Sequence, residues 1–164
     1  MKTKLFILAG IIYFNFFTAQ IPDESMDIAE YPNFYNQTIS KLNNIIPNKT
    51  IYYGQSLSVF LQDLTQNNLV IKAYDPAPYH DNLLKLMFVG DVEIRSEIRK
   101  KNFVNPYINI YFQHPYDFQQ SKTILGQYHW FWNTASENFY KNLTIKKIEF
   151  WYVNGLTNKS SGPK

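Results

Sequence analysis

The chain has 164 residues, with 16 Lys and Arg against 13 Asp and Glu, a formal charge of +3, no cysteine and 18% aromatic residues. The lack of cysteine excludes disulfides, thiol nucleophiles, cysteine-ligated zinc and a lipid-anchored lipoprotein N-terminus. So small a charge imbalance argues against nucleic acid as a partner, and the aromatic content excludes a disordered chain.

The first segment, 1–20, reads as a signal peptide. Met1-Lys2-Thr3-Lys4 supplies positive charge, Leu5 to Phe17 an apolar run, and Thr18-Ala19-Gln20 the small residues near a cleavage point. At about 1.5 Å per residue the apolar run reaches about 20 Å, short of a hydrocarbon core of about 30 Å, so cleavage is expected rather than retention as an anchor. No stable membrane span is then expected, and loss of Lys2 and Lys4 takes the charge from +3 to about +1. The expected location is periplasmic or secreted, and the Asn, Ile, Lys, Tyr and Phe usage fits an AT-rich bacterial genome. Asn-x-Ser/Thr triplets at Asn36, Asn48, Asn142 and Asn158 are read as products of composition rather than glycan acceptors.

After an acidic, flexible lead at 21–30, a single α+β domain is expected over 31–155, followed by a flexible tail at 156–164. Tyr31, Phe34, Tyr35, Ile39, Leu42, Ile45 and Ile46 recur at helical spacing, with Pro32 in the first turn and Pro47 as the stop. A second helix follows Ser56, a candidate N-cap, with Leu57, Phe60, Leu61 and Leu64 as its stripe. Strands are predicted at Leu69–Tyr74, Leu83–Val89, Tyr107–Phe112 and Thr144–Val153. Gly90-Asp91 reads as a hairpin turn leading into a further strand. There Val92, Ile94 and Ile98 alternate with Glu93, Arg95, Glu97 and Arg99, although Ile94 and Ile98 also suit a helix. Residues 113–143 are too long for a bare loop and carry a predicted short helix at Ser136–Lys141. The fold expected is α+β, with two N-terminal helices packed on one face of a mostly antiparallel sheet of four or five strands.

Three stretches carry a resemblance: Gly54-Gln55-Ser56-Leu57-Ser58-Val59-Phe60-Leu61-Gln62-Asp63-Leu64, the Asp75-Pro76-Ala77-Pro78 turn with the strand after it, and Ile148-Glu149-Phe150-Trp151. Together they resemble small exported bacterial proteins of unknown function. The helix–helix–sheet order is similar to outer-membrane assembly lipoproteins and β-lactamase-inhibitor-like domains, though the lipoprotein cysteine is missing. The resemblance implies a binding or accessory role and transfers no catalytic residue.

Catalytic candidates are weak. Asp75, His80 and Asp81 would make an acid–base or metal cluster, but a Pro-rich solvated turn accounts for them equally simply. His129 lies in Gln127-Tyr128-His129-Trp130-Phe131-Trp132, where Tyr128, Trp130 and Trp132 would form a stacking platform extended by Tyr107, Tyr111, Trp151 and Tyr152, or else pin a loop over the core. Arg95 and Arg99-Lys100-Lys101 read as a solvated strand end. The carboxylate pairs Asp75/Asp81 and Glu93/Glu97 are the material a glycoside hydrolase would use. No phosphate loop, dinucleotide fingerprint or nucleophile elbow is present, and no metal or cofactor is expected. The leading expectation is an exported, non-enzymatic binding or accessory protein of the cell envelope, its partner a protein or an envelope glycan. The alternative is an envelope hydrolase acting on glycan or peptide.

Overall fold

An apolar stripe at helical spacing must find a surface to bury against, and the first helices form where such stripes occur. The computed structural model describes residues 26–77, 80–157 and 162–164. The signal peptide expected at 1–20, most of the lead at 21–30 and the Asn158 triplet lie outside the described residues. Helix α1, Tyr31–Ile45, carries Pro32 in its first turn and buries Tyr31, Tyr35, Thr38, Leu42 and Ile45. It ends just before Pro47, and the chain continues as a 3-10 segment over Ile46–Tyr52. Helix α2, Leu57–Gln66, follows Ser56, but the Ser56 hydroxyl bonds the Ser58 hydroxyl (2.7 Å) instead of capping the backbone. The first free N–H groups of α2 donate instead to the carbonyls of Leu143 (2.9 Å, from Leu57) and Lys141 (2.8 Å, from Ser58), which ties the helix to a distant loop.

Four strands, β1 (Ala73–Pro76), β2 (Leu83–Met87), β3 (Tyr107–Phe112) and β4 (Ile145–Trp151), form one antiparallel sheet in the order β1-β2-β3-β4. Side chains alternate between its faces. Tyr74, Leu84, Leu86, Ile108, Ile110, Phe112, Ile148 and Phe150 share one buried cluster with Leu42 and Ile45 of α1 and Leu57, Phe60 and Leu64 of α2. Each such side chain contributes about 1.5–3 kcal/mol by leaving water. Neither sheet edge is bare. On β1, the Tyr74 N–H donates to the Trp130 carbonyl (3.1 Å) and the Trp132 N–H to the Lys72 carbonyl (3.0 Å). On β4, Gly54 and Gln55 bond Ile145 (2.8 Å each), and Lys164 exchanges two bonds with Phe150 (3.0 Å each). Partial pairing of this kind blunts each edge against recruiting a further strand.

The strand expected after Gly90-Asp91 is a helix, α3, Val92–Lys100. Asp91 turns no hairpin. Its carboxylate accepts from the N–H groups of Glu93 (2.6 Å) and Ile94 (3.1 Å), an N-cap. Ile98 then packs with Tyr31, Tyr35, Val89 and Val104 in a second cluster that joins α3 to the start of α1, with Ile94 against it. Arg99 and Lys100 occupy the last turn of this helix, not a strand end, and their charge suits its C-terminal dipole. Asp91→Ala is expected to cost about 1 kcal/mol, read from thermal unfolding followed at 222 nm.

Between β3 and β4 stand α4 (Phe118–Gln127), which the sequence reading missed, and α5 (Thr134–Tyr140), close to the predicted short helix. Asp117 caps α4, and Asn133 caps α5 in a reciprocal box with Ser136. The element order is therefore not helices followed by sheet, since among the described residues three of the five α-helices lie between strands.

Candidate functional site

The face of the sheet turned away from the main cluster carries a polar residue from each strand. Asp75 pairs with Lys85, Lys85 with Asn109, and Asn109 with Glu149, so the four form one row across the sheet. In the next row Tyr107 stands opposite Met87 and Trp151, and on the other side Tyr111 lies opposite Leu83 and Lys147. The Tyr107 and Trp151 rings are 13° from parallel with centroids 6.0 Å apart, and the Lys85 ammonium sits 4.7 Å from the Tyr107 centroid. Helix α3 flanks this face through Arg95, whose Nη1 lies 3.3 Å from the Met87 sulfur.

Glu149 is 7% exposed and accepts from three side chains: Lys147 Nζ (2.5 Å), Tyr111 OH (3.2 Å) and Trp151 Nε1 (3.2 Å). Burial alone would raise its pKa, but these hydrogen bonds and the Lys147 charge outweigh burial and hold the carboxyl below its ordinary value. Asp75 is shifted the other way. Burial raises it, and the nearby charges of Lys85 and Arg95 only partly compensate. Burial also pushes Tyr107 up to about 12, so its phenol stays neutral.

These opposite shifts set the acid behaviour. Glu149, ordinarily near 4.5, contributes stability that is present above that value and lost as pH falls through its lowered pKa. Asp75 opposes it, because folding gains as pH falls through a carboxyl raised above 3.8. Glu149→Gln is expected to lower stability by about 1–2 kcal/mol at neutral pH. The gap to the natural chain should close as pH falls from the ordinary value of 4.5 through the lowered pKa, followed in urea titrations. A gap that persists in acid would assign the loss to shape rather than charge.

The expected site residues separate. Tyr107 and Tyr111 lie on the open face with Asp75. His80 and Asp81 are exposed in the loop between β1 and β2. Tyr128, His129 and Trp130 are exposed at a tight turn closed by the Phe131 N–H on the Tyr128 carbonyl (3.0 Å), with φ of 49° at His129 and 72° at Trp130. Both central residues thus occupy the left-handed region that favours glycine. Trp132 belongs to the core side, where its ring meets Tyr74 (5.5 Å) and Tyr140 (6.2 Å). Among the described residues no group of three or more His, Cys, Asp and Glu side chains is placed to hold a metal ion.

Two surface grooves border the segment 68–70, one of about 520 Å³ against α2 and α5 and one of about 580 Å³ against α1. Neither is lined by Asp75, His80, Asp81 or His129. On the open face, three strand spacings put the Asp75 and Glu149 backbones about 14 Å apart.

Lys85, Asn109 and Glu149 are the residues that the sequence reading undervalued. The signal was present: β1, β2 and β3 each carry one polar residue near the middle, and β4 carries Glu149 beside Lys146 and Lys147, and a period-two reading places Asp75, Lys85, Asn109 and Glu149 on one face. Among the described residues no helix is long and apolar enough to cross a membrane. No protein-family model matches the chain, and neither does any curated protein or solved structure.

Proposed function

We propose that this chain is an exported, non-enzymatic binding or accessory protein of the cell envelope that engages its partner through the open face of the sheet. In this reading α1 and α2 cover the opposite face, and the shared cluster of Leu42, Ile45, Leu57, Phe60 and Leu64 with the strand residues supports that arrangement. The layout of residues 1–20 supports export to a periplasmic or secreted location.

One observation carries the proposal: a polar row across all four strands, with Asn109 only 7% exposed yet lacking a partner for its Oδ1. A polar group at that depth is usually satisfied, and one that is not invites a ligand or an ordered water. The paired edges support a face rather than an edge as the contact surface, because strand addition needs free backbone groups.

The test is recovery of binding partners from the envelope fraction with the full chain, expressed so that it is exported and processed, and with Tyr107→Ala/Trp151→Ala. The variant should keep the far-ultraviolet circular dichroism of the natural chain and lose the captured material. A folded variant that captures the same set would remove the open face from consideration.

A further inference from the structure

We infer that the open face holds a neutral polyhydroxylated ring, a sugar unit of a glycan. The inference rests on the binding reading above and names the chemistry of its ligand. Asn109 Oδ1 is buried and unpartnered between Lys85 and Glu149, and Arg95 Nε is buried and unpartnered where α3 meets the same face. The first needs a donor and the second an acceptor. A hydroxyl can act in either role.

The charges favour the same class. Asp75 and Glu149 interleave with Lys85, Lys147 and Arg95, so the face offers no single-signed field to a polyanion. A nucleotide would stack, but its phosphates would meet the two carboxylates of the row. A sugar ring brings no charge, and its apolar side suits an aromatic surface.

Preorganisation supports stacking. Trp151 is held by its Nε1 bond to Glu149 (3.2 Å), by Tyr107 stacked at 6.0 Å and by Tyr152 edge-on at 6.3 Å. Rings held in place before a ligand arrives lose little freedom when it binds. Lys85 adjoins Asn109 in the row and lies over Tyr107. Its flexible stem can swing aside, which uncovers the ring face and leaves the ammonium free to donate to a hydroxyl.

The experiment titrates the exported, processed chain with cellohexaose, xylohexaose, mannohexaose and chitohexaose, followed by tryptophan fluorescence and calorimetry, with heparin as the polyanion control. At least one neutral oligosaccharide should bind saturably and heparin should not. Asn109→Leu removes the acceptor at similar volume and should weaken that binding about tenfold, the value of one hydrogen bond. Tyr107→Ala, which leaves Asn109 in place, should weaken it as well, so the test stands if Asn109→Leu fails to fold. Preferential binding of heparin overturns the inference. So does silence of all four sugars while capture from the envelope still depends on Tyr107 and Trp151; that result leaves the binding reading intact and points to a protein partner. Silence of the sugars together with capture indifferent to the face overturns both.

Discussion

Tyr140→Ala is expected to lower the unfolding free energy by about 4 kcal/mol, read as a reduced urea midpoint with an unchanged slope. Tyr140 is 0% exposed at the end of α5, and its ring meets Tyr74, Phe112, Tyr116, Trp132 and Phe139 with centroids between 4.7 and 6.3 Å. Those partners come from β1, β3, the loop before α4, the turn beside β1 and α5 itself, so one truncation opens a cavity where five parts of the chain meet. Neighbours drawn from a sheet, a turn and a helix cannot collapse together to fill it. The hydroxyl contributes separately. It is hydrogen-bonded to the fully buried Ser121 on α4, and burial raises its pKa, so it stays neutral. Tyr140→Phe keeps the ring and leaves Ser121 without that partner, at a cost of about 1–2 kcal/mol. The ordering of the two variants decides between packing and hydrogen bonding as what docks α4 and α5. Equal losses would assign the docking to the hydroxyl, and losses below about 1 kcal/mol for both would place Tyr140 outside the core.

The parts of the fold with a clean period were legible in the sequence. The stripe of α1 needed only its spacing and Pro32, and β3 came out with its observed limits because Ile108, Ile110 and Phe112 alternate with Tyr107, Asn109 and Tyr111. Helix α3 was misread because nine residues fit both periods: Ile94 and Ile98 sit two alternations apart and also one helical turn apart. The cap decides such a case, since the Asp91 carboxylate satisfies two N–H groups that only a helix leaves free. Helix α4 went unseen because its fully buried residues are Ser121 and Leu125, with Phe118 packing beside them, too few apolar residues to show a period. The candidate site was half legible. Tyr107 and Tyr111 were singled out for aromaticity, but the row they border depends on strand register, and register across four strands is a tertiary property. Asp75 was singled out for its proximity in sequence to His80 and Asp81, whereas the strand pairs it with Lys85.

The aromatic run Tyr128–Trp132 divides at a single residue, and stability measurements on two tryptophans should show it. Trp132→Ala is expected to cost about 3 kcal/mol, because its ring packs edge-on to Tyr74 and stacks on Tyr140. Trp130 is 45% exposed and holds φ at 72°, a conformation that costs a bulky residue about 1–2 kcal/mol and glycine almost nothing. Trp130→Gly therefore loses some apolar contact and gains backbone relief, for a net change within about 1 kcal/mol of zero. Phe131 anchors the turn between them. It bridges to Ala73, and its ring fits against Gly90 so closely that a Cβ there would stand 2.9 Å from the nearest ring carbon. With both flanks pinned, the turn keeps its shape whichever residue occupies position 130. Urea melts of the two variants separate the cases. A large loss for Trp130→Gly would mean that its indole is part of the packing, and a small loss for Trp132→Ala would mean that the strip along β1 is held by its backbone bonds alone. The expected split leaves the exposed indole without a structural reason for standing where glycine would be easier.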